Sequence, residues 1–289
     1  MLKKILRVLI DRRKLKAASI LYLNDLKTLL FLSPSRSKII FIAGLPKSGS
    51  TWLFKMIESV PGFTRRYYTG PVLLDGSGHF LNNWDGISHA TFKSHPHFGC
   101  SVYKEHTQYT KQNWNILLSN DVKKSVVLIR DLRDVLVSLY YHHINDKNHQ
   151  FYLKMQNMNF NEGVEFLIQE VLPEYTQWLD GWLEFSKNNK QILTVKYEDL
   201  WDNGDEVLAE ILRFYNVRIP KKKLFSIYKN SRIKKPQDLS KSLNGVLSDF
   251  STARKGGYGG WKEKLNDRHI DMFFKTSGVA SVMKRCGYA

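Results

Sequence analysis

Apolar residues in this chain come in short runs, and each run is followed by a stretch with helical spacing. Ile39 to Ala43 is an uncharged, largely β-branched run, which predicts a buried strand. Residues 49–60 then read as a helix, stopped by Pro61-Gly62. "SVVLI" at 125–129 predicts a second strand. In the helix expected after it, Leu132, Val135, Leu136 and Leu139 fall at i, i+3, i+4 and i+7, and Asp131 is placed to cap it. A third strand, "QILTVKY" (191–197), leads to a helix carrying Val207, Leu208, Ile211, Leu212 and Tyr215. A long helical region spans about 161–187, where Pro173 is expected to break or kink it. The polar segment from about 229 to 260 is weakly periodic and predicts an irregular, lid-like stretch.

Strands alternating with helices predict crossover connections. The expected fold is a single α/β domain over 38–289, with a central, mainly parallel sheet flanked by helices. "SPSRS" (33–37) reads as a linker before it. Ligands in such sheets bind beyond the carboxyl ends of the strands, so the loops after residues 43 and 129 are where chemistry is expected. Residues 1–37 form a basic N-terminal segment in which Leu2, Ile5, Leu6 and Leu9 recur at helical spacing. Its longest uninterrupted apolar stretch, Val8 to Ile10, is too short for a signal-peptide core or a membrane span. The expectation is a cytoplasmic protein whose N-terminal segment suits peripheral contact with an anionic membrane.

Charge narrows the partners. Lys and Arg number 44 against 27 Asp and Glu, a formal net charge of +17, which favours anionic ligands or an anionic surface. Cys100 and Cys286 cannot form a disulfide framework and lack metal-ligand spacing. His142-His143 and His95-x-His97 have no cysteine or carboxylate spaced with them, so no metal is expected.

The segment "GLPKSGSTW" (44–52) follows the first strand and nearly spells the triphosphate loop G-x-x-x-x-G-K-[ST]. Ser50 stands in the lysine slot, and Lys47 stands three positions earlier. Small residues between a strand and a helix still present backbone N–H groups and a positive helix end to an oxyanion. The displaced lysine argues against ATP-dependent phosphate transfer. At the second strand end, "RDLRDVLVS" (130–138) puts the Arg130 donor fork beside a helix start, with Asp134 and Ser138 on one helix face at i, i+4. "RKGGYGGW" (254–261) offers two adjacent cations followed by glycines, a flexible anion clamp.

Read together, these segments resemble the sulfotransferase family that uses 3′-phosphoadenosine 5′-phosphosulfate (PAPS). "PKSGSTW" is similar to its PKSGTTW loop, with Ser50 for the first threonine. "RDLRDVLVS" is similar to R-N-x-x-D-x-x-V-S, with Asp131 for asparagine, and "RKGGYGGW" to RKGxxGDWK, with Gly260 for aspartate. "TFKSHP" (91–96) resembles the family's K-T-H segment, "VKYEDL" (195–200) its Y-E-D segment, and "GWLEFSKNN" (181–189) the Trp-containing helix before it. The likeness runs in order from about residue 38 to 265.

The resemblance implies a P-loop-like fold and in-line sulfuryl transfer from PAPS, without a metal, to the hydroxyl of a small alcohol, phenol or carbohydrate. It implies that Lys47, Ser48, Gly49, Ser50, Thr51 and Trp52 hold the 5′-phosphosulfate, with Lys47 and Lys93 stabilising developing charge and His95 acting as general base. Arg130, Ser138, Arg254, Lys255 and Gly256 would bind the 3′-phosphate, and Tyr197 would lie at the nucleotide base. Ser231 is not followed by the family's phenylalanine, so no adenine-stacking residue is assigned there. The dimerisation signature K-x-x-x-T-V-x-x-x-E is not found, which leaves the oligomeric state open. The competing readings are an ATP-dependent small-molecule kinase of P-loop type and a basic nucleic-acid- or membrane-binding module. Nucleic acid is not expected as a partner of the enzyme.

Overall fold

A computed structural model describes residues 38–66, 87, 92, 100–147, 149–232 and 256–288. Five strands form one sheet: β1 (Lys38–Gly44), β2 (Phe63–Arg65), β3 (Cys100–Glu105), β4 (Ser125–Ile129) and β5 (Ile192–Lys196), in the order β2-β3-β1-β4-β5. Every neighbouring pair is parallel. After Lys38 the central strand β1 is uncharged and buried, because both its faces are covered. Ile39, Phe41 and Ala43 enter one core, while Ile40 and Ile42 enter the other.

The first core is closed by α2 (Lys111–Ser119), α3 (Leu132–His143), α5 (Phe160–Glu170) and α6 (Leu172–Ser186), with α10 (Asp267–Lys275) and α11 (Val279–Cys286) behind them. A short α4 (Tyr152–Gln156) connects α3 to α5. The second core is closed by α1 (Ser50–Glu58), α7 (Tyr197–Asp202), α8 (Gly204–Phe214) and α9 (Lys221–Ser231). Helices on both faces of a parallel sheet are the doubly wound α/β arrangement.

Local chemistry sets the boundaries. Asp131 caps α3 by accepting the Arg133 amide at 2.9 Å, as expected. Asn159 and Glu162 form a capping box at α5. Pro173 does break the long helical region. It occupies the first turn of α6, where its missing N–H costs nothing, and α5 ends just before it. Two features depart from the sequence reading. β2 and β3 carried no expectation, and α9 is helical to Ser231 where an irregular segment was expected from about 229. The N-terminal segment, the linker at 33–37 and most of the lid-like stretch lie outside the described residues.

Candidate active site

The loop after β1 is shaped by close packing and two positive-φ residues. Gly49 sits at φ 87, and a Cβ there would meet the Tyr197 ring at 2.5 Å. Lys47 takes a left-handed φ of 67 despite its side chain. Gly49 caps α1 without a side-chain partner, and the amides of Gly49, Ser50 and Thr51 find no acceptor among the described residues. Ser48 is fully buried, and its hydroxyl has no hydrogen-bond partner there either. Unmet donors at a helix start with no acidic side chain in the first turn suit a bound oxyanion. The residues therefore fit a phosphate- or sulfate-bearing ligand.

Arg130, leaving β4, braces this loop. Its guanidinium donates to the Lys47 carbonyl and to the Gly257 carbonyl, both at 3.0 Å, and lies 4.1 Å over the Tyr197 ring. The C-terminal glycine loop is thereby tied to the β1 loop across the end of the sheet. Asp134, buried on α3, holds the same loop by accepting the Gly259 amide at 2.6 Å and the Trp261 amide at 3.1 Å. Gly256 is backed by Trp201, whose ring a Cβ would strike at 2.5 Å. Trp52 packs edge-on against Tyr197 and Trp201 and gives its indole N–H to Ser231 at 3.0 Å. Its ring is buried within this cluster.

Beneath the arginine, Glu198 accepts the Asp131 amide at 3.4 Å and the Tyr288 hydroxyl at 2.5 Å. Burial raises the Glu198 pKa, with the Tyr288 hydrogen bond opposing it. Asp131 also pairs bidentately with Arg133, whose guanidinium lies 4.0 Å over Trp261.

A second lysine arrives from β3. Lys104 donates to the Thr51 hydroxyl at 3.3 Å. Lys47 is held down to about 8, first by burial and then by the Arg130 and Lys104 charges. Three cations converging beside unmet amides repel one another, and a bound anion relieves that repulsion.

Two residues on stands His106, whose Nδ1 lies 2.5 Å from the Gly44 carbonyl. That acceptor requires the proton on Nδ1, so Nε2 carries the free lone pair. Burial, then the Lys104 charge, pulls its pKa down to about 3, and the imidazole is neutral. The backbone around it is fixed by α6. Trp178 donates to the carbonyls of His106 and Thr107 at 2.9 and 3.1 Å, and Trp182 donates to Thr107 at 3.0 Å.

The last turn of α3 brings further imidazoles towards the same lysine. His143 stacks on His149 at 3.8 Å, with Phe151 5.6 Å from His143. His142 lies 3.8 Å from the Asp146 carboxylate. Burial is the main cause that lowers both His142, to about 4, and His143, and the Lys47 charge adds to each. Among the described residues, no group of three or more His, Cys, Asp or Glu side chains is arranged to hold a metal ion.

The sequence-predicted residues Lys47 to Trp52, Arg130, Tyr197 and Gly256 thus come together at the carboxyl end of the sheet. Ser138 lies on α3, partly exposed. Lys93, His95, Arg254 and Lys255 lie outside the described residues. Lys104 and His106, which the sequence motifs did not single out, stand at this same end of the sheet and repeat the Lys-x-His spacing of 93–95. The signal that finds them is their position at the end of a strand. Trp201 and Asp134 were not given these roles, and only long-range packing reveals them.

The geometry agrees with comparisons to known proteins. The family model described as "Sulfotransferase domain" matches residues 37–287. "Cytosolic sulfotransferase 13" of Arabidopsis thaliana is 24% identical over 274 residues, covering 84% of this chain and 76% of the relative. The mouse sulfotransferase SULT7A1, solved with PAP, superposes with a TM-score of 0.62 at 20% identity, covering 87% of this chain and 89% of that one. A retinol dehydratase solved with androsterone and the inactive cofactor PAP superposes at 0.51 with 17% identity, covering 89% and 83%. With the family model spanning nearly the whole parallel-sheet domain, the chain belongs to the sulfotransferase family.

Proposed function

We propose that this sulfotransferase uses PAPS as its sulfuryl donor and a small hydroxyl compound as its acceptor. The observation that carries the reading is the meeting of Lys47, Lys104 and Arg130 beside the unmet amides of Gly49, Ser50 and Thr51. PAPS, when bound, supplies the sulfuryl group. Lys47 to Thr51 would hold its 5′ end. Arg130, Ser138, Arg254, Lys255 and Gly256 would hold the 3′-phosphate, and Tyr197 and Trp52 would wall the nucleotide.

We assign the general-base role to His106 rather than to His95. Its Nε2 would accept the proton of the acceptor hydroxyl while Nδ1–H stays on Gly44. Its low pKa keeps it neutral, and a bound anionic ligand would raise its basicity by offsetting the Lys104 and Lys47 charges. Lys104 would take the charge-stabilising part expected of Lys93. The α3 imidazoles are neutral, with His143 stacked on His149 and tilted against Phe151, and they favour a ring-bearing alcohol or phenol over a heavily hydrated sugar. The androsterone named with the retinol dehydratase has this chemistry.

The test is transfer of labelled sulfuryl from PAPS to a panel of steroid alcohols, phenols and sugars. Turnover on the first two classes is expected. Phosphate transfer that depends on ATP and Mg²⁺, with no binding of PAP, would overturn the assignment.

A further inference from the structure

The opposite end of the sheet also gathers cations, and none belongs to the site above. Lys38 opens β1, and its ammonium donates to the carbonyls of Tyr215 and Asn216 at 2.9 and 2.6 Å. Lys124, just before β4, donates to the Phe214 carbonyl and lies 4.6 Å from the Phe214 ring. The Tyr215 hydroxyl donates to the Lys124 carbonyl at 2.8 Å. These bonds pin the end of α8 to the amino ends of β1 and β4.

From that pinned turn the chain passes exposed Arg218 into α9, whose first three residues, Lys221, Lys222 and Lys223, are all exposed. α9 then runs towards the other end, where Ser231 meets Trp52. The lysine triplet therefore faces away from the Lys47 site. Phe225, four residues after Lys221 and three after Lys222, shares their helix face and is 55% exposed. Among the described residues, Asp121 pairs with Lys123 at 3.4 Å, Glu58 ends α1, which packs against α9, and Glu210 lies on α8, so cations outnumber carboxylates on this face. The 37 residues that precede Lys38 in the sequence carry nine Lys and Arg against two Asp.

We propose that this amino-end face docks on an anionic lipid membrane. Lys221, Lys222 and Lys223 would lie at the headgroups and Phe225 at the acyl boundary. Cations flanking an exposed aromatic on one helix face match a lipid interface, which takes both the charge and the apolar ring. A nucleic-acid backbone would use only the charge. Docked in this way, the Lys47 site opens away from the bilayer.

Co-sedimentation of the full-length protein with phosphatidylcholine vesicles, with and without phosphatidylserine, tests this. Binding is expected only to the phosphatidylserine vesicles and is expected to weaken with salt. Lys221→Gln, Lys222→Gln and Lys223→Gln together should weaken it on the order of 100-fold, at roughly one kcal/mol per cation. Phe225→Ser should weaken it about tenfold. PAP binding should be unchanged in both variants, which also reports that they fold. Equal binding to both vesicle types, or unchanged binding by the triple variant, would overturn the proposal. So would a preference for duplex DNA with no vesicle binding.

Discussion

The two ends of the sheet are both basic, yet they hold their cations in opposite ways. At the amino end, Lys38 and Lys124 rest on the carbonyls of Phe214, Tyr215 and Asn216, and Lys221 to Lys223 stand in water. Each such charge is low in cost and acts nearly alone. At the carboxyl end, Lys47, Lys104 and Arg130 are crowded enough to bring the Lys47 pKa down to about 8. That crowding opposes folding and is relieved by one small anion. The difference teaches where specificity resides. Spread cations suit a broad surface, whereas a half-buried, mutually repelling cluster selects a compact, multiply charged ligand.

Arg130→Ala should break this contrast most severely. It removes the bonds to Lys47 and Gly257 together, and PAP affinity should fall on the order of 100-fold or more by calorimetry. Arg130→Lys should not restore it, because a single ammonium cannot span both carbonyls.

The Lys47 titration separates binding from stability. Its pKa falls from 10.5 unfolded to about 8 folded, so between those values the unfolded chain holds the extra proton. Stability contributed by this group therefore rises with pH across the window. Affinity for PAP should move the other way, falling up to tenfold per pH unit above about 8 as the ammonium is lost. Lys47→Gln should flatten both trends. On the acid side, His106, His142 and His143 all have folded pKa values below the usual 6.5. The unfolded chain binds protons first as the pH drops, so the melting temperature should fall from pH 6.5 towards 4.

Gly49→Ala meets both a positive φ and the Tyr197 ring, and should cost about 2 kcal/mol in urea unfolding. Tyr288→Phe should have the smallest effect. It removes one donor to Glu198 beneath Asp131, and a few-fold rise in KM for PAPS with little change in kcat is expected.

The parts of the site legible in the sequence share a local cause. β4 and, after Lys38, β1 are uncharged runs rich in β-branched residues, and each ends on a motif whose glycines, hydroxyls or arginine sit within a few residues. Asp131 and Pro173 mark helix starts by side-chain chemistry alone. β3 escaped because "CSVYKE" has only one aliphatic residue and ends in charge, although Ser101, Val102 and Tyr103 are all buried. Without that strand end, Lys104-Glu105-His106 has no place in the sheet, and the family resemblance falls on the same spacing at 93–95. Asp134 holding the glycine loop, and Trp201 behind Gly256, depend on contacts across more than fifty residues, for which no local pattern exists.

The proposed mechanism turns on which imidazole takes the proton. Turnover with saturating PAPS, measured side by side for His106→Ala and His95→Ala, tests it most directly, with PAP affinity measured on both. His106→Ala should lose roughly 10²- to 10⁴-fold in kcat with PAP binding retained, and His95→Ala should keep a near-normal kcat. The reverse pattern, with His106→Ala active and His95→Ala inert, would contradict it.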